Sequence, residues 1–556
     1  MKKYYWVGLT GLLAVVPTWA NVIPDAGQLL QEQQWDKPIL APSKSQLETV
    51  QPESKGLSGD LQIEVKQFQL EGYQQFSYAT LHQLIADAEG STLSLSQLQT
   101  VVDRITAYYQ ARGYLYSRAY LPQQTLSGGV VKIVILEAKI DRVNINNQSQ
   151  TRESLVEATL APLKSGEHLE ESKIQKQLKL LNRLNGVSSH NVLAPGVSTG
   201  TSQLNIQVQN RDRIEAVLGM DNSGNEFVGE YRFYGTVAFN NLAGLGDQLN
   251  FSAMGTGEGM NYAKLGYQFT VNGLGTQLGL SHSYLDYDLG KAMKALDAEG
   301  SASNSSVWLN HPILYNNLAE LVLTTQYDHK VLKDDIRVNQ SYKHRNVDLL
   351  SLRLDGSNYD GLGGGGLNQY GISTGYGRVD YRNETAARLD SLTANSAGSF
   401  YTTSIYMNRL QQLTEQGTQG FLSVFGQYSS ENLDSSEQYM LGGAMSVRGY
   451  KNSQLSGSSG YLATAEIRQP LYRDARQQFS AKVFTDYGRV QLNAKPWIGL
   501  STKNYVNLSS VGLGAQWNHV WKIQAQIDVA FPLGDRPGQL AERDDAQYWF
   551  NLKKSF

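Results

Sequence analysis

The sequence predicts a transmembrane β-barrel of sixteen antiparallel strands, preceded by two small α+β modules and a short N-terminal helix. Three observations carry that reading. Between Asp212 and Phe556 helical periodicity vanishes, and sixteen segments alternate apolar and polar residues. Each runs for about ten positions, the length of a tilted strand crossing a bilayer. The connections alternate between short and long, as periplasmic turns and outer loops do. The last segment places Tyr548, Phe550, Leu552 and Phe556 on one face and ends the chain on an aromatic, with Lys554 the one break in the pattern.

Composition agrees and removes other classes. The 556 residues include 53 glycines, 32 tyrosines and no cysteine, and 18% are charged. Tyrosine and glycine suit interfacial aromatic girdles and tight strand turns. A net charge of −3 supplies no basic field for nucleic acid. Without cysteine there are no thiolate metal sites and no disulfides. A mean hydropathy of −0.37 resembles that of a soluble protein, but half the strand residues of a barrel face a polar lumen.

Residues 1–20 read as a signal peptide. Lys2 and Lys3 precede the apolar run Trp6 to Val16, Pro17 breaks it, and Thr18-Trp19-Ala20 is a small-x-small cleavage site. The run is too short to span a bilayer comfortably as a helix, so any membrane residence is expected through the barrel. Residues 21–34 are expected to form a helix. Pro24 suits its first turn, Asp25 its positive end, and Leu29 and Leu30 give an apolar edge. Residues 35–60, with Pro38, Pro42 and Pro52, read as a linker.

Two units of similar order follow, at 61–138 and 139–210. In the first, Leu61, Ile63 and Val65 alternate as a strand. Tyr78 to Ala88 and Leu95 to Arg112 carry helical spacing, Gly113 stops the second helix, and Ser117 to Leu121 and Val130 to Leu136 are strands. In the second, Ile140 to Ile145 opens. Helices run over Ser154 to Leu163 and Glu170 to Leu184, and strands at Val192 to Ala194 and Leu204 to Val208 close it. Both read β-α-α-β-β, a tandem repeat rather than one core.

The barrel region, 211–556, shows its two faces most clearly at residues 521–531 and 460–469. Ile523, Ala525, Ile527, Val529 and Phe531 oppose Lys522, Gln524, Gln526 and Asp528. Tyr461, Ala463, Ala465 and Ile467 oppose Thr464, Glu466 and Arg468. A charged lumen and an apolar exterior are implied. The longest gap between segments, 429–459, is the sixth outer loop and contains Val447-Arg448-Gly449-Tyr450. Downstream stands Phe484-Thr485-Asp486-Tyr487-Gly488. Even positions on that segment carry Ser480, Lys482 and Asp486, so Asp486 is expected to face the lumen.

This arrangement resembles the two-partner secretion transporter family of the POTRA-barrel superfamily, which includes haemolysin, filamentous-haemagglutinin and contact-dependent-inhibition transporters. The resemblance covers essentially the whole mature chain. The loop motif is intact at Val447, Arg448, Gly449 and Tyr450, and the strand motif at Phe484, Asp486 and Gly488. It implies type V secretion across the outer membrane of a Gram-negative bacterium, without enzyme activity, nucleotide, metal or cofactor. The two modules would be periplasmic POTRA domains, POTRA 1 at 61–138 and POTRA 2 at 139–210, that bind an unfolded partner. That partner would be a large exoprotein: an adhesin, a cytolysin or a contact-dependent inhibition toxin. Helix 21–34 would plug the resting pore. The loop 429–459 would fold inward, where Arg448 could pair with Asp486 or with its rival Glu466. Gly449 would permit a close turn beside Arg448. Phe550, Leu552 and Phe556 resemble the C-terminal signal read by barrel-assembly machinery. The transporter would sit in outer-membrane lipid as a monomer.

Other readings are weaker. A barrel-assembly insertase of the same superfamily is the nearer alternative, and an outer-membrane hydrolase the more distant one. Two G-x-S-x-G strings occur, around Ser198 and Ser373, but neither is followed by the helix a nucleophile elbow needs. Gly361, Gly363 and Gly366 lie in a glycine-rich turn with no helix after it, and the eight histidines form no metal-binding motif.

Overall fold

The computed structural model describes residues 23–33, 48–49, 62–126, 128–498, 500, 503–540 and 543–556. The signal peptide expected at 1–20 and most of the linker expected at 35–60 lie outside them. Sixteen antiparallel strands close a barrel, from Ile214–Asp221 to Gln547–Ser555, with each strand paired to its sequence neighbour. Closure joins Val217–Asp221 to Asn551–Ser555 through five residue pairs, the fewest of any strand contact in the barrel.

The outer surface identifies the solvent. Leu218, Leu265, Leu350, Ile405, Leu513 and Ile527 stand exposed at intervals around the wall, and every barrel strand carries at least one large exposed apolar side chain. Such a belt is untenable in water and is what lipid requires. The inner face carries polar and charged side chains such as Ser281, Ser283, Asn304 and Asp328. Lys554 lies on the outer face beside Phe556, its Nζ 4.7 Å from the ring centroid. At the end of the strand its ammonium reaches the membrane boundary while the stem stays apolar.

Several strands run past the limits read from sequence. Ala298–Tyr315, Ala319–Ile336 and Ser341–Asp360 contain 18, 18 and 20 residues. Beyond the lipid belt both faces meet polar surroundings, so apolar-polar alternation fades while the hydrogen-bonded ladder continues. Two outer connections also hold structure that patterning missed: the helix Glu384–Leu392, and the short strand pair Tyr439–Leu441 with Leu455–Gly457 in the sixth loop.

The first module departs from β-α-α-β-β. Its opening segment divides into Gln62–Val65 and Gln67–Glu71, and Ser91–Ser94 is a further strand that pairs with the former. The second half, Gln67–Glu71, joins Val130–Leu136 and Arg118–Tyr120 in a three-stranded sheet. Helix Leu95–Ala111 begins with a capping box made by Ser94 and Gln97 and buries Leu98, Val101, Val102, Ile105 and Tyr109 against these strands. The second module keeps the expected order, but its fourth element, Val187–Pro195, is three times longer than read. Within the expected linker, Glu48–Thr49 pairs in parallel with Val192 and Leu193, so part of that span is strand at the edge of this sheet.

The second module is bolted to the barrel. Lys179, on helix Glu171–Asn182, is 1% exposed. Its Nζ donates to Glu320 at 2.7 Å and lies 4.5 Å from the Tyr315 ring centroid. Thr151 accepts from Asn241 at 2.9 Å, and Arg152 donates to the Ala243 carbonyl at 3.2 Å. A buried ammonium paired in this way is costly to undo.

Candidate functional site: an inward loop and a helix in the barrel lumen

The sixth loop folds into the barrel, and Arg448 near its tip is 4% exposed. Its Nε and Nη2 donate to Asp486 at 2.9 and 2.7 Å, its backbone N–H donates to the same carboxylate at 3.2 Å, and Nη1 donates to Glu466 at 2.7 Å. Both acids considered in the sequence are therefore engaged. The fork takes Asp486 bidentately, and Glu466 takes the remaining arm. The Phe484 ring lies under the guanidinium, 3.4 Å from centroid to Cζ, which favours a cation stripped of water.

The cluster is larger than sequence reasoning proposed. Arg468 donates to Glu466 at 2.8 and 2.6 Å, and Lys482 donates to Asp528 at 2.8 Å. Asp528 stands 3.9 Å from Arg448. Three cations (Arg448, Arg468, Lys482) thus balance three acids (Asp486, Glu466, Asp528). Lys482 and Asp528 lie on strands separated by a third, where Gly514 is paired with both. A Cβ at Gly514 would stand 2.1 Å from Asp528 and 2.5 Å from Lys482. Side-chain parity had already turned Asp528 toward the lumen. Its place in the cluster follows from strand register, which parity does not supply.

Asp486 also accepts from Thr464 at 3.0 Å and Ser510 at 3.1 Å, and Trp549 donates its indole N–H to the Arg448 carbonyl at 2.7 Å. Val447 and Tyr450 are buried with Tyr439, Leu441, Leu455 and Leu462. Gly488 forms the dent that receives them: a Cβ there would lie 2.3 Å from Leu441 and 3.1 Å from Val447. The close turn expected beside Arg448 is present, closed by the Tyr450 N–H donating to the Val447 carbonyl at 3.2 Å, and Gly449 at its centre meets a second need. Its φ is not in the left-handed region, but a Cβ would lie 2.8 Å from Ser510 and 2.9 Å from the Pro532 nitrogen. The glycine is required by proximity to the wall.

The helix Ala26–Glu32 lies inside the barrel as well. Asp25 caps it by accepting from the Gln28 N–H at 3.0 Å. Leu29 and Leu30 are buried against Leu285, Leu332, Val347 and Phe400 of the wall and Leu433 of the loop. Asp25 is bound by Arg345 at 3.1 Å, Lys343 at 3.3 Å and the Ser435 hydroxyl at 2.6 Å. The fully buried Arg345 also donates to Asp334 of the wall at 2.6 Å and to Asp434 of the loop. The Ala26 N–H donates to Asp334 at 2.6 Å. Gln31 and Gln28 reach the loop carbonyls of Gln438 and Ser453 at 2.8 and 3.4 Å. From sequence Asp25 is a favourable helix-end charge, and nothing local marks Arg345 as its partner. Arg345 is separated from Asp25 by 320 positions and from Asp434 by 89, so no local pattern announces the contact.

The remaining sequence candidates fall elsewhere. Leu552 and Phe556 face outward on the final strand, and Phe550 packs near Tyr231 with ring centroids 6.1 Å apart. Ser373 is in mid-strand and Ser198 in a hairpin turn, so neither occupies a strand-to-helix elbow.

Comparison with known proteins gives the arrangement a lineage. Residues 200–516 match the family described as haemolysin secretion/activation protein ShlB/FhaC/HecB, and residues 63–138 match the POTRA domain of ShlB type. The chain belongs to the ShlB/FhaC/HecB family. It is 25% identical to the heme/hemopexin transporter protein HuxB of Haemophilus influenzae (strain 86-028NP), covering 86% of this chain and 84% of that protein. It is 25% identical to the outer membrane transporter CdiB of Escherichia coli O6:K15:H31 (strain 536 / UPEC), covering 80% of this chain and 75% of that one. The solved structure of CdiB from Escherichia coli shares the fold, with a TM-score of 0.71 at 20% identity over 91% of this chain and 93% of that one. As a ShlB/FhaC/HecB protein, this chain is a two-partner secretion transporter of the outer membrane rather than an enzyme. It carries a large partner exoprotein outward and keeps its POTRA domains in the periplasm.

Proposed function

We propose that the inward loop and the lumen helix together hold this transporter at rest, with Val447-Arg448-Gly449-Tyr450 as the latch and Ala26–Glu32 as the plug. One observation carries the proposal. Arg345 binds the helix, the loop and the wall with a single guanidinium. Arg448 fixes the loop tip to strands four and five places further round the barrel than that of Arg345. The helix cannot leave without breaking charge pairs that the loop shares, and the buried ions it abandons make that step uphill.

An unfolded partner would reach the POTRA domains first, where exposed strand edges accept an added strand. Folding of the partner outside would bias its movement without nucleotide. The exoprotein is of the adhesin, cytolysin or growth-inhibition toxin class. The transporter would act as a monomer, its apolar belt against outer-membrane lipid and its C-terminal strand read by barrel-assembly machinery through Phe550, Leu552 and Phe556.

Co-expression with its cognate large exoprotein tests the reading. The partner is expected outside the cell with the native transporter. With Arg448→Ala it should stay in the periplasm while the barrel still inserts. Full export by that variant refutes the latch.

A further inference from the structure

The second periplasmic module is fixed to the barrel through Lys179, Thr151 and Arg152, so the reach of the first module is set at the connection Glu137-Ala138-Lys139. There a buried carboxylate is gripped from one side. Oε1 of Glu137 accepts the backbone N–H groups of Gln74 at 2.7 Å and Gln75 at 2.8 Å, and the Tyr109 hydroxyl at 2.7 Å. Oε2 has no hydrogen-bond partner. It lies 3.4 Å from Nδ1 of His168, which is buried and likewise without a hydrogen-bond partner. The three groups that grip Glu137 belong to the first module. His168 belongs to the second, three residues ahead of helix Glu171–Asn182, and its backbone bridges to Lys139.

We propose that Glu137 and His168 form a pH-dependent clasp between the two periplasmic modules. Histidine ordinarily changes charge between about pH 5 and 8. Protonated, His168 closes the joint with an ion pair to Oε2 across 3.4 Å. Neutral, it leaves the modules without that ion pair, held by the contacts that remain, Lys139 to Gln74 among them, and the first module swings more widely. The other ionisable groups at the joint are engaged elsewhere or remain uncharged in this range. Lys139 donates to Gln74 at 3.1 Å, and Tyr114 gives its hydroxyl to Gln75 at 2.9 Å. Glu167 pairs with Lys173, Glu170 accepts from Ser172 and Glu171 from Gln175. Burial, then the adjacent Glu137, push the Tyr109 phenol far above its ordinary range, so it stays a donor throughout. The His168 side chain is 20% exposed, which leaves a route for the proton. Through this clasp, acidity would set how widely the first module searches for an incoming chain.

The absence of native cysteine allows a direct test in the full-length transporter. Spin labels at Thr100→Cys and Glu157→Cys, on exposed helix positions of the two modules, report the intermodule distance distribution at about pH 5.5 and about pH 8. The distribution should be narrow in acid and broad in alkali. With His168→Gln, which leaves the Glu137 anchor in place, it should be broad at both. Equal widths at the two pH values in the parent protein overturn the clasp, as does a His168→Gln protein that keeps the pH response.

Discussion

Asp486→Asn and Glu466→Gln should differ in strength, and the difference can be worked from the latch geometry. Each change removes one charge with almost no change of shape. Asp486 accepts three bonds from Arg448, two from the guanidinium and one from the backbone, whereas Glu466 accepts one. In Glu466→Gln, Arg448 keeps its bidentate partner. In Asp486→Asn, an amide NH2 is turned toward the guanidinium or the carbonyl alone must serve it, and a buried cation is left with one arm paired. Breaking a buried ion pair on one side costs about 3 kcal/mol or more. That raises the undocked fraction of the loop by roughly two orders of magnitude. Trypsin cleavage at Lys451, the residue that follows the latch, reads that fraction in the folded barrel, and export of the co-expressed partner reads its consequence. Cleavage should accelerate strongly in Asp486→Asn and modestly in Glu466→Gln. The reasoning fails if Glu466→Gln is the more labile variant, or if Asp486→Asn is cleaved as slowly as the parent.

Other expectations follow from the same contacts. Arg345→Ala leaves Asp25 and Asp434 to Lys343 and removes the ion pair of Asp334, so single-channel conductance in a planar bilayer should rise; a parent-like conductance refutes the three-way joint. Deleting residues 21–34 should raise conductance further, and no rise argues against a plug. Gly488→Val places side-chain atoms where Leu441 and Val447 now sit, an overpacking cost of about 1–3 kcal/mol. Its loop should be cleaved faster at Lys451 while the barrel stays heat-modifiable on a gel. Unchanged cleavage would mean that the loop tip does not need the dent.

How much was legible depends on the range of the interaction. The sixteen strands could be read because lipid and lumen impose opposite chemistry on alternate residues, and Ile527 and Asp528 carry that contrast side by side. The extensions of the seventh and eighth strands could not be read, since Lys333, Asp334 and Asp335 continue a strand without alternating polarity. The lumenward face of Asp486 followed from parity along one strand. The Lys482–Asp528 pair required register across two strands and a glycine between them. Arg345 was the hardest, because its partners are scattered from Asp25 to Asp434 and none leaves a local trace. The short strand at Glu48–Thr49 is likewise set by its Val192 and Leu193 partners rather than by its own composition.

The balance of three cations against three acids around the latch has an electrical consequence. With the loop docked, the cluster carries no net charge and casts little field into the lumen beyond a Debye length of about 8 Å. Withdrawal of Arg448 removes one positive charge and leaves two cations facing three acids on the wall. The open passage therefore acquires a fixed negative site that the closed one lacks. A polypeptide moving through it meets attraction at its lysines and arginines and repulsion at its acids, at a point on the wall that is electrically silent whenever the transporter is idle.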